Sequence, residues 1–141
     1  MGESQQELQQ LSQQLQIIQT QLQELTAERE ALRETVSELD GAIRALERLE
    51  SGSMVQVPLG GSTYVRAEIA DIDEVLVAFG AGYSAERSRD GAVESLQDRQ
   101  SIIDDRVDSI TDHVTRLETE ATELEQQLQQ LAQAQQLGGL E

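Results

Sequence analysis

Few residues of this 141-residue chain are of the types that catalysis or metal binding needs. Cysteine is absent, which excludes thiol nucleophiles, disulfide bonds and thiolate metal sites. The one histidine, His113, comes directly before Val114, a residue of an apolar heptad pattern, so it is predicted to lie on the solvated flank of a helix. We therefore expect no catalytic residue, no bound metal and no cofactor.

Two short stretches share features with ligand-binding motifs. The acids of "DIDE" at 71–74 alternate as in a calcium loop, but the other ligands of such a loop are missing. "GAG" at 80–82 lacks the third glycine of a dinucleotide-binding fingerprint. P-loop, GxSxG and HExxH patterns are also missing from the sequence. Both stretches are predicted to be turns, and we do not expect an enzyme or an ATPase.

The formal net charge of −17 comes from 27 acidic residues against ten arginines, with no lysine. Nucleic acids and anionic membranes bind clustered basic residues, so neither is an expected partner. Strong acid excess without lysine is typical of proteins from the salt-rich cytoplasm of halophilic archaea. At about 1 M salt the Debye length is roughly 3 Å, so the repulsion between the acidic residues is screened. The chain shows no secretory signal and no apolar run of about 18 residues, so we expect a cytoplasmic location.

Apolar residues recur at alternating steps of three and four in two equally long segments, 8–46 and 93–131. This heptad spacing is typical of the contact seam of a coiled coil. Arg29, Gln100 and Gln135 occupy polar seam positions. The first seam contains Leu8, Leu11, Leu15, Ile18, Leu22, Leu25, Leu32, Val36, Leu39, Ile43 and Leu46. The second contains Val93, Leu96, Ile103, Val107, Ile110, Val114, Leu117, Ala121, Leu124, Leu128 and Leu131.

The matched lengths of the two seams favour an antiparallel hairpin of helices within one chain. Leu8 would then lie opposite Leu131, and Arg29 would lie opposite Ile110 and fix the register. Gln100 would lie opposite Leu39. The alternative is that each helix pairs in parallel with a helix of another chain.

The segment between the helices has the alternation and turn residues of two β-hairpins. Pro58 predicts an edge or a bulge in the first strand, Ser88 is predicted to cap the second helix, and "VLVAF" is typical of a buried strand. The fold class is therefore α+β. The predicted strands are "MVQVPL" (54–59), "TYVRAEIAD" (63–71), "VLVAF" (75–79) and "YSAERS" (83–88). The predicted domains are a helix over 1–50, an assembly module over 53–88, a helix over 89–137 and a flexible tail over 138–141.

Two hairpins cannot bury their own apolar faces, and they leave strand edges unpaired. We therefore predict that these strands pair with copies or relatives of the same segment in an oligomer. The residues expected in that interface are Val55, Val57, Leu59, Tyr64, Val65, Ile69, Val75, Val77, Phe79 and Tyr83.

The stretches "VPLG" (57–60) and "VLVAFGAGYSAERS" (75–88), with heptads on both sides, resemble α-type prefoldin subunits over nearly the whole chain. The resemblance implies an ATP-independent chaperone of two α-type and four single-hairpin β-type subunits. Their strands would form a β-barrel, and their helices would bind unfolded proteins and deliver them to a group II chaperonin. The alternative is a structural coiled-coil spacer, which would need a much shorter connection than two hairpins.

Leucines near both chain ends are the predicted client-binding residues. They lie at the ends of the seam, where helices fray and apolar side chains are exposed part of the time. These residues are Leu8, Leu11, Leu128, Leu131, Leu137 and Leu140.

Overall fold

The computed structural model describes residues 2–138 as two long helices with four short strands between them. The predicted α+β class, with two β-hairpins inserted between the helices, is confirmed. Helix α2 includes Gly138, which the sequence analysis assigned to the tail, and Leu140 lies outside the described residues. The elements are α1 (Gly2–Arg48), β1 (Met54–Gly60), β2 (Thr63–Glu68), β3 (Val75–Gly80), β4 (Tyr83–Arg87) and α2 (Arg89–Gly138).

The chain forms two compact units, which we describe separately. The helical unit combines the part of α1 up to Arg33 with the part of α2 from Asp105 onward. The sheet unit, Glu34–Asp104, contains all four strands and the adjoining parts of both helices.

In the helical unit α1 and α2 run antiparallel, as predicted. Leu11 lies near Leu131, and Ile18 lies near Leu124. The core of this unit consists of buried seam residues, namely Ile18, Ile110, Val114 and Leu117. Burying these apolar stripes against each other is what holds two otherwise polar helices together.

Polar side chains fix the pairing of the helices at the seam and beside it. Arg29, at the polar seam position, is half-buried, and its Nη1 donates a hydrogen bond to Thr111 Oγ1 at 3.3 Å. Arg106 donates two hydrogen bonds to Glu28 Oε1, at 2.9 and 3.1 Å, on the exposed flank. Arg29 thus contacts the neighbour of Ile110, the residue predicted to face it.

The sheet unit has its own small core, formed by buried residues of both helices and one strand. These residues are Leu39, Ile43, Val77 and Ala92. The polar seam residue Gln100 donates from Nε2 to the Val36 carbonyl oxygen at 3.2 Å, one helical turn before Leu39, which was predicted to face it. A hydrogen bond to the facing backbone allows this amide to sit in an otherwise apolar seam.

The two hairpins repeat the same design twenty residues apart. In each, a register shift interrupts the ladder before a glycine, between Pro58 and Gly60 and between Ala78 and Gly80. The irregularity predicted at Pro58 is confirmed. Each two-residue turn has positive φ at both positions, including a residue that is not glycine: Ser62 at 59° and Ala81 at 53°. These are type I′ turns, which match the twist of paired strands.

The junction between helices and strands is held by side chains from distant parts of the sequence. Arg89, the first residue of α2, donates from Nη2 to the Leu49 carbonyl oxygen at 2.6 Å and forms an ion pair with Glu50 at 3.3 Å. The Arg89 charge therefore lies at the C-terminal end of α1, where the helix dipole favours a cation. This contact joins the end of α1 to the start of α2 within the sheet unit.

The start of α2 is capped from two sides. Ser88 Oγ accepts a hydrogen bond from the Gly91 N–H at 3.1 Å, which confirms the predicted cap. Asp73 Oδ1 accepts from the Arg89 N–H at 3.4 Å, and Asp71 Oδ1 accepts from the Asp73 N–H at 2.9 Å. "DIDE" is therefore a turn, as predicted, and its carboxylates accept hydrogen bonds from backbone N–H groups.

Candidate assembly surface and helix-end groove

Alternation along the paired strands places a largely apolar set of residues on one face of each hairpin. We call this the apolar face. In the first hairpin it consists of Val55, Val57, Thr63, Val65 and Ala67, with Leu59 beside them at the register shift. In the second it consists of Val75, Val77, Tyr83, Ala85 and Arg87, with Phe79 beside them at the register shift.

The apolar face is covered at its base and open towards the turns. Val55 and Val75, near the start of their strands, are half-buried. Leu59, Phe79 and Tyr83, next to the turns, are exposed. The open part of this face is therefore available to another polypeptide.

The two hairpins differ in how closely they pack on the rest of the sheet unit. Val77 is 6% exposed, whereas Val57, the equivalent residue of the first hairpin, is 40% exposed. Arg99 of α2 donates from Nη2 to the Ala78 carbonyl oxygen at 2.7 Å and so fastens β3 to the helix. The first hairpin is therefore the more open of the two.

The strand edges are open as well. Among the described residues β1 pairs with β2 and β3 with β4, and each pair forms a separate two-stranded sheet. Each strand thus has one edge without a strand partner. Unpaired edges next to exposed apolar residues favour pairing with strands of other chains.

The residues predicted for the oligomer interface fall into three groups. Val77 is already covered within the chain, while Val55, Ile69 and Val75 are half-buried. Tyr64 is exposed, but it alternates with Val65 and so lies on the opposite face of β2. The exposed residues are Val57, Leu59, Tyr64, Val65, Phe79 and Tyr83.

The prediction of a buried strand at "VLVAF" is wrong for the chain by itself. Val77 is buried, but Leu76 and Phe79 are exposed because no second layer of the described chain covers them. Leu76 and Met54 are exposed apolar residues that the sequence analysis missed. Strict alternation from Val75 would have placed Leu76 on the face of the hairpin opposite Val75 and Val77.

Near the helix ends of the helical unit, α1 and α2 border a shallow groove. Leu11 and Leu131 contribute its large apolar side chains. Leu8 and Leu128 are half-buried nearby in the seam, and Leu137 is exposed. The remaining lining residues are Glu7, Gln10, Gln14, Gln127, Gln130 and Ala134.

Two exposed isoleucines of the helices were missed by the sequence analysis. Ile17 is exposed next to the buried Ile18 and lies near Leu124 of the other helix. Ile102 is exposed next to Ile103. The signal was the doublet "II", because two adjacent helical residues cannot both face one seam.

His113 is exposed on the helix flank. Across residues 2–138 no group of three or more His, Cys, Asp or Glu side chains is placed to hold a metal ion. A search of the same residues for helices with the length and apolar character of a membrane span finds none.

Comparisons with known proteins agree on one family. The family model "Prefoldin subunit" matches residues 18–134. Prefoldin subunit alpha of Haloarcula marismortui is 57% identical over 72 residues, which cover 51% of this chain and 47% of that protein. The match thus spans about half the length of this relative. Prefoldin subunit alpha of Halorubrum lacusprofundi is 49% identical over 104 residues, covering 74% of this chain and 68% of that protein.

A solved structure supports the fold. The prefoldin beta subunit from Thermococcus strain KS-1 is 18% identical, with a TM-score of 0.61 over 88% of this chain and 90% of that chain. Both alpha relatives come from halophilic archaea, in agreement with the salt adaptation predicted from the charge. Because the family model covers most of the sequence and the Halorubrum relative is similar over two thirds of its length, the chain belongs to the prefoldin family.

Proposed function

We propose that this chain is the α-type subunit of a prefoldin chaperone, which holds unfolded proteins at its helix ends and passes them to a group II chaperonin without ATP. Membership in the prefoldin family implies the coarser part of this statement, a chaperone subunit, because prefoldins are chaperones and not enzymes. The finer part is supported by how apolar side chains are distributed over the two units.

The proposed assembly contains two α-type and four β-type subunits joined through their strands. Its support is the combination of unpaired strand edges with an open apolar face in each hairpin. A strand that adds to such an edge gains main-chain hydrogen bonds and covers Leu59 or Phe79 at the same time. We expect the joined strands to form a β-barrel.

The observation that carries the client-binding proposal is the groove near the helix ends. Leu11 and Leu131 line this groove and are only half-buried. Helix ends also open with the smallest free-energy cost. Leucine side chains around the open groove can therefore contact the apolar segments of an unfolded protein.

Each such contact is weak, which suits a chaperone that must release its client. Several helix pairs in one assembly raise the effective concentration of the second and later contacts, and about 100-fold tighter binding can follow without any new contact. The glutamine and glutamate residues that border the groove remain solvated. They keep the helix ends of different subunits from associating with one another.

Truncation tests the client-binding proposal. Deleting residues 1–11 and 129–141 should leave assembly with a β-type subunit unchanged and should weaken suppression of aggregation of a denatured client. Assembly is measured by light scattering after size exclusion in molar KCl, and suppression by turbidity without ATP. If the truncated complex suppresses aggregation as well as the full-length complex does, the client-binding site lies elsewhere.

A substitution pair refines this test. Leu11→Gln with Leu131→Gln removes the apolar side chains of the groove, and the control Gln9→Ala with Gln126→Ala changes exposed polar positions of the same helices. We expect weaker suppression for the leucine variant alone. A spacer without client binding would show no suppression even for the unmodified complex.

A further inference from the structure

The two hairpins match position by position on the apolar face, with one difference in charge. Val55 pairs with Ala67 in the first hairpin, and Val75 pairs with Arg87 at the equivalent place in the second. Among the apolar-face residues defined above, Arg87 is the charged one. Its position therefore distinguishes the two otherwise similar surfaces.

Arg87 is held in place without using its hydrogen-bond donors. Its guanidinium carbon lies 5.6 Å from the centre of the Phe79 ring, a distance that fits a cation–π contact. Within residues 2–138 its guanidinium forms neither a hydrogen bond nor an ion pair. Arg89 and Arg99 of the same unit, by contrast, donate to the carbonyl oxygens of Leu49 and Ala78.

The second hairpin offers Arg87 no acid on the apolar face. The nearest acid in sequence, Glu86, alternates with Arg87 and so lies on the other face of β4. Once a partner covers the apolar face, the five donors of Arg87 lose water and need an acceptor. A carboxylate is the best-matched acceptor, because its two oxygens can accept two parallel hydrogen bonds from the planar guanidinium.

We infer that Arg87 selects the partner of the second hairpin by pairing with an Asp or Glu side chain of the β-type subunit that covers this face. Phe79 holds the guanidinium in place for that carboxylate. A second copy of this chain does not fit, because the apolar faces of its own hairpins carry no acid. The inference rests on the proposed assembly and names the chemistry of its partner.

Charge reversal at Arg87 tests the inference. The chain and a β-type prefoldin subunit are mixed in 2 M KCl, and the dissociation constant is measured by calorimetry for the unmodified chain, Arg87→Ala and Arg87→Glu. Truncating one member of a covered, hydrogen-bonded charge pair typically weakens binding about 30-fold or more. We expect that loss for Arg87→Ala and a larger loss for Arg87→Glu. Arg66→Ala, on the opposite face of the first hairpin, is the matched control and should bind normally.

A compensating substitution identifies the acid. Each Asp or Glu in the strands of the β-type subunit is changed to arginine, and one of these variants should restore binding to Arg87→Glu. Normal binding by Arg87→Glu, the absence of any restoring variant, or an effect confined to self-association of this chain would overturn the inference. If the unmodified chain fails to bind any β-type subunit, the proposed assembly itself is wrong and the inference falls with it.

Discussion

The helical seam and the hairpins both carry regularly spaced apolar residues, but the chain covers the seam more completely. Seam residues such as Ile110 and Val114 are buried by the other helix, whereas Leu59 and Phe79 of the hairpins are exposed. Heptad spacing gives each helix one apolar stripe, and the chain supplies a second helix to cover it. Each hairpin also has an apolar face, but the chain covers only the base of that face.

In the proposed assembly, this difference separates the residues that stabilise one subunit from the residues that join subunits. A covered apolar residue stabilises the single chain, while an exposed one contributes mainly when a partner arrives. Substitutions in the two regions should therefore change different measurements: the free energy of unfolding of the lone chain for the seam, and the affinity for partner chains for the hairpins.

The largest effect is expected in the seam. Ile110 is 1% exposed, so Ile110→Ala should lower the free energy of unfolding by about 4 kcal/mol through lost burial and a cavity. Ile102, on the same helix, is 71% exposed, and Ile102→Ala should stay within about 0.5 kcal/mol. Urea unfolding followed by circular dichroism in molar KCl measures both. Equal losses in the two variants would show that the seam is not the core.

Two hairpin residues should behave in opposite ways. Val77→Ala should lower the free energy of unfolding of the lone chain by about 2 kcal/mol, because Val77 is buried. Leu59→Ala should leave that quantity unchanged, since Leu59 is 65% exposed. It should instead weaken binding to a β-type subunit about tenfold, or 1.4 kcal/mol. Unfolding curves and calorimetry separate the two outcomes, and normal partner binding by the Leu59 variant would remove it from the interface.

The junction should respond to loss of the Arg89 charge. Arg89→Ala removes the donors to the Leu49 carbonyl and to Glu50, so we expect a loss of about 1.5 kcal/mol in the free energy of unfolding. Arg48→Ala, at the exposed last residue of α1, should change it by less than about 0.5 kcal/mol. Thermal unfolding of both variants decides whether the Arg89 contact contributes as described.

The smallest effect is expected in the turns. Ala81 has positive φ, which asparagine adopts more readily than alanine, and Asn-Gly is the preferred pair for a type I′ turn. Ala81→Asn should therefore raise the free energy of unfolding by up to about 1 kcal/mol. Ala81→Val, a β-branched residue at the same place, should lower it. A stabilising valine would contradict the turn geometry.

The features that could be predicted from the sequence depend on residues that are close together along the chain. The heptads, the Ser88 cap and the ladder irregularity at Pro58 each depend on residues a few positions apart. Arg89 reaches Leu49 across forty positions of sequence, and Arg87 meets the Phe79 ring from the paired strand. Such contacts depend on the path of the chain between the strands and the helices. The spacing of apolar residues does not specify that path.

Burial was also only partly predictable. "VLVAF" is apolar throughout, and an uninterrupted apolar strand is normally buried on both faces. Leu76 is nevertheless exposed in the described chain, and the spacing of apolar residues does not show whether a strand face is covered by the same chain or by a partner. The doublets Ile17-Ile18 and Ile102-Ile103 did contain the information that one isoleucine must face outwards.

Hydrogen exchange measured by mass spectrometry, with and without a β-type subunit, tests the central claim most directly. The helical seam is closed within the chain and the strand edges are open, so adding the partner should slow exchange in residues 54–87. Exchange along 8–46 and 93–131 should change little. Slower exchange along both helical segments with unchanged strands would show that the helices pair between chains, and the account would be wrong.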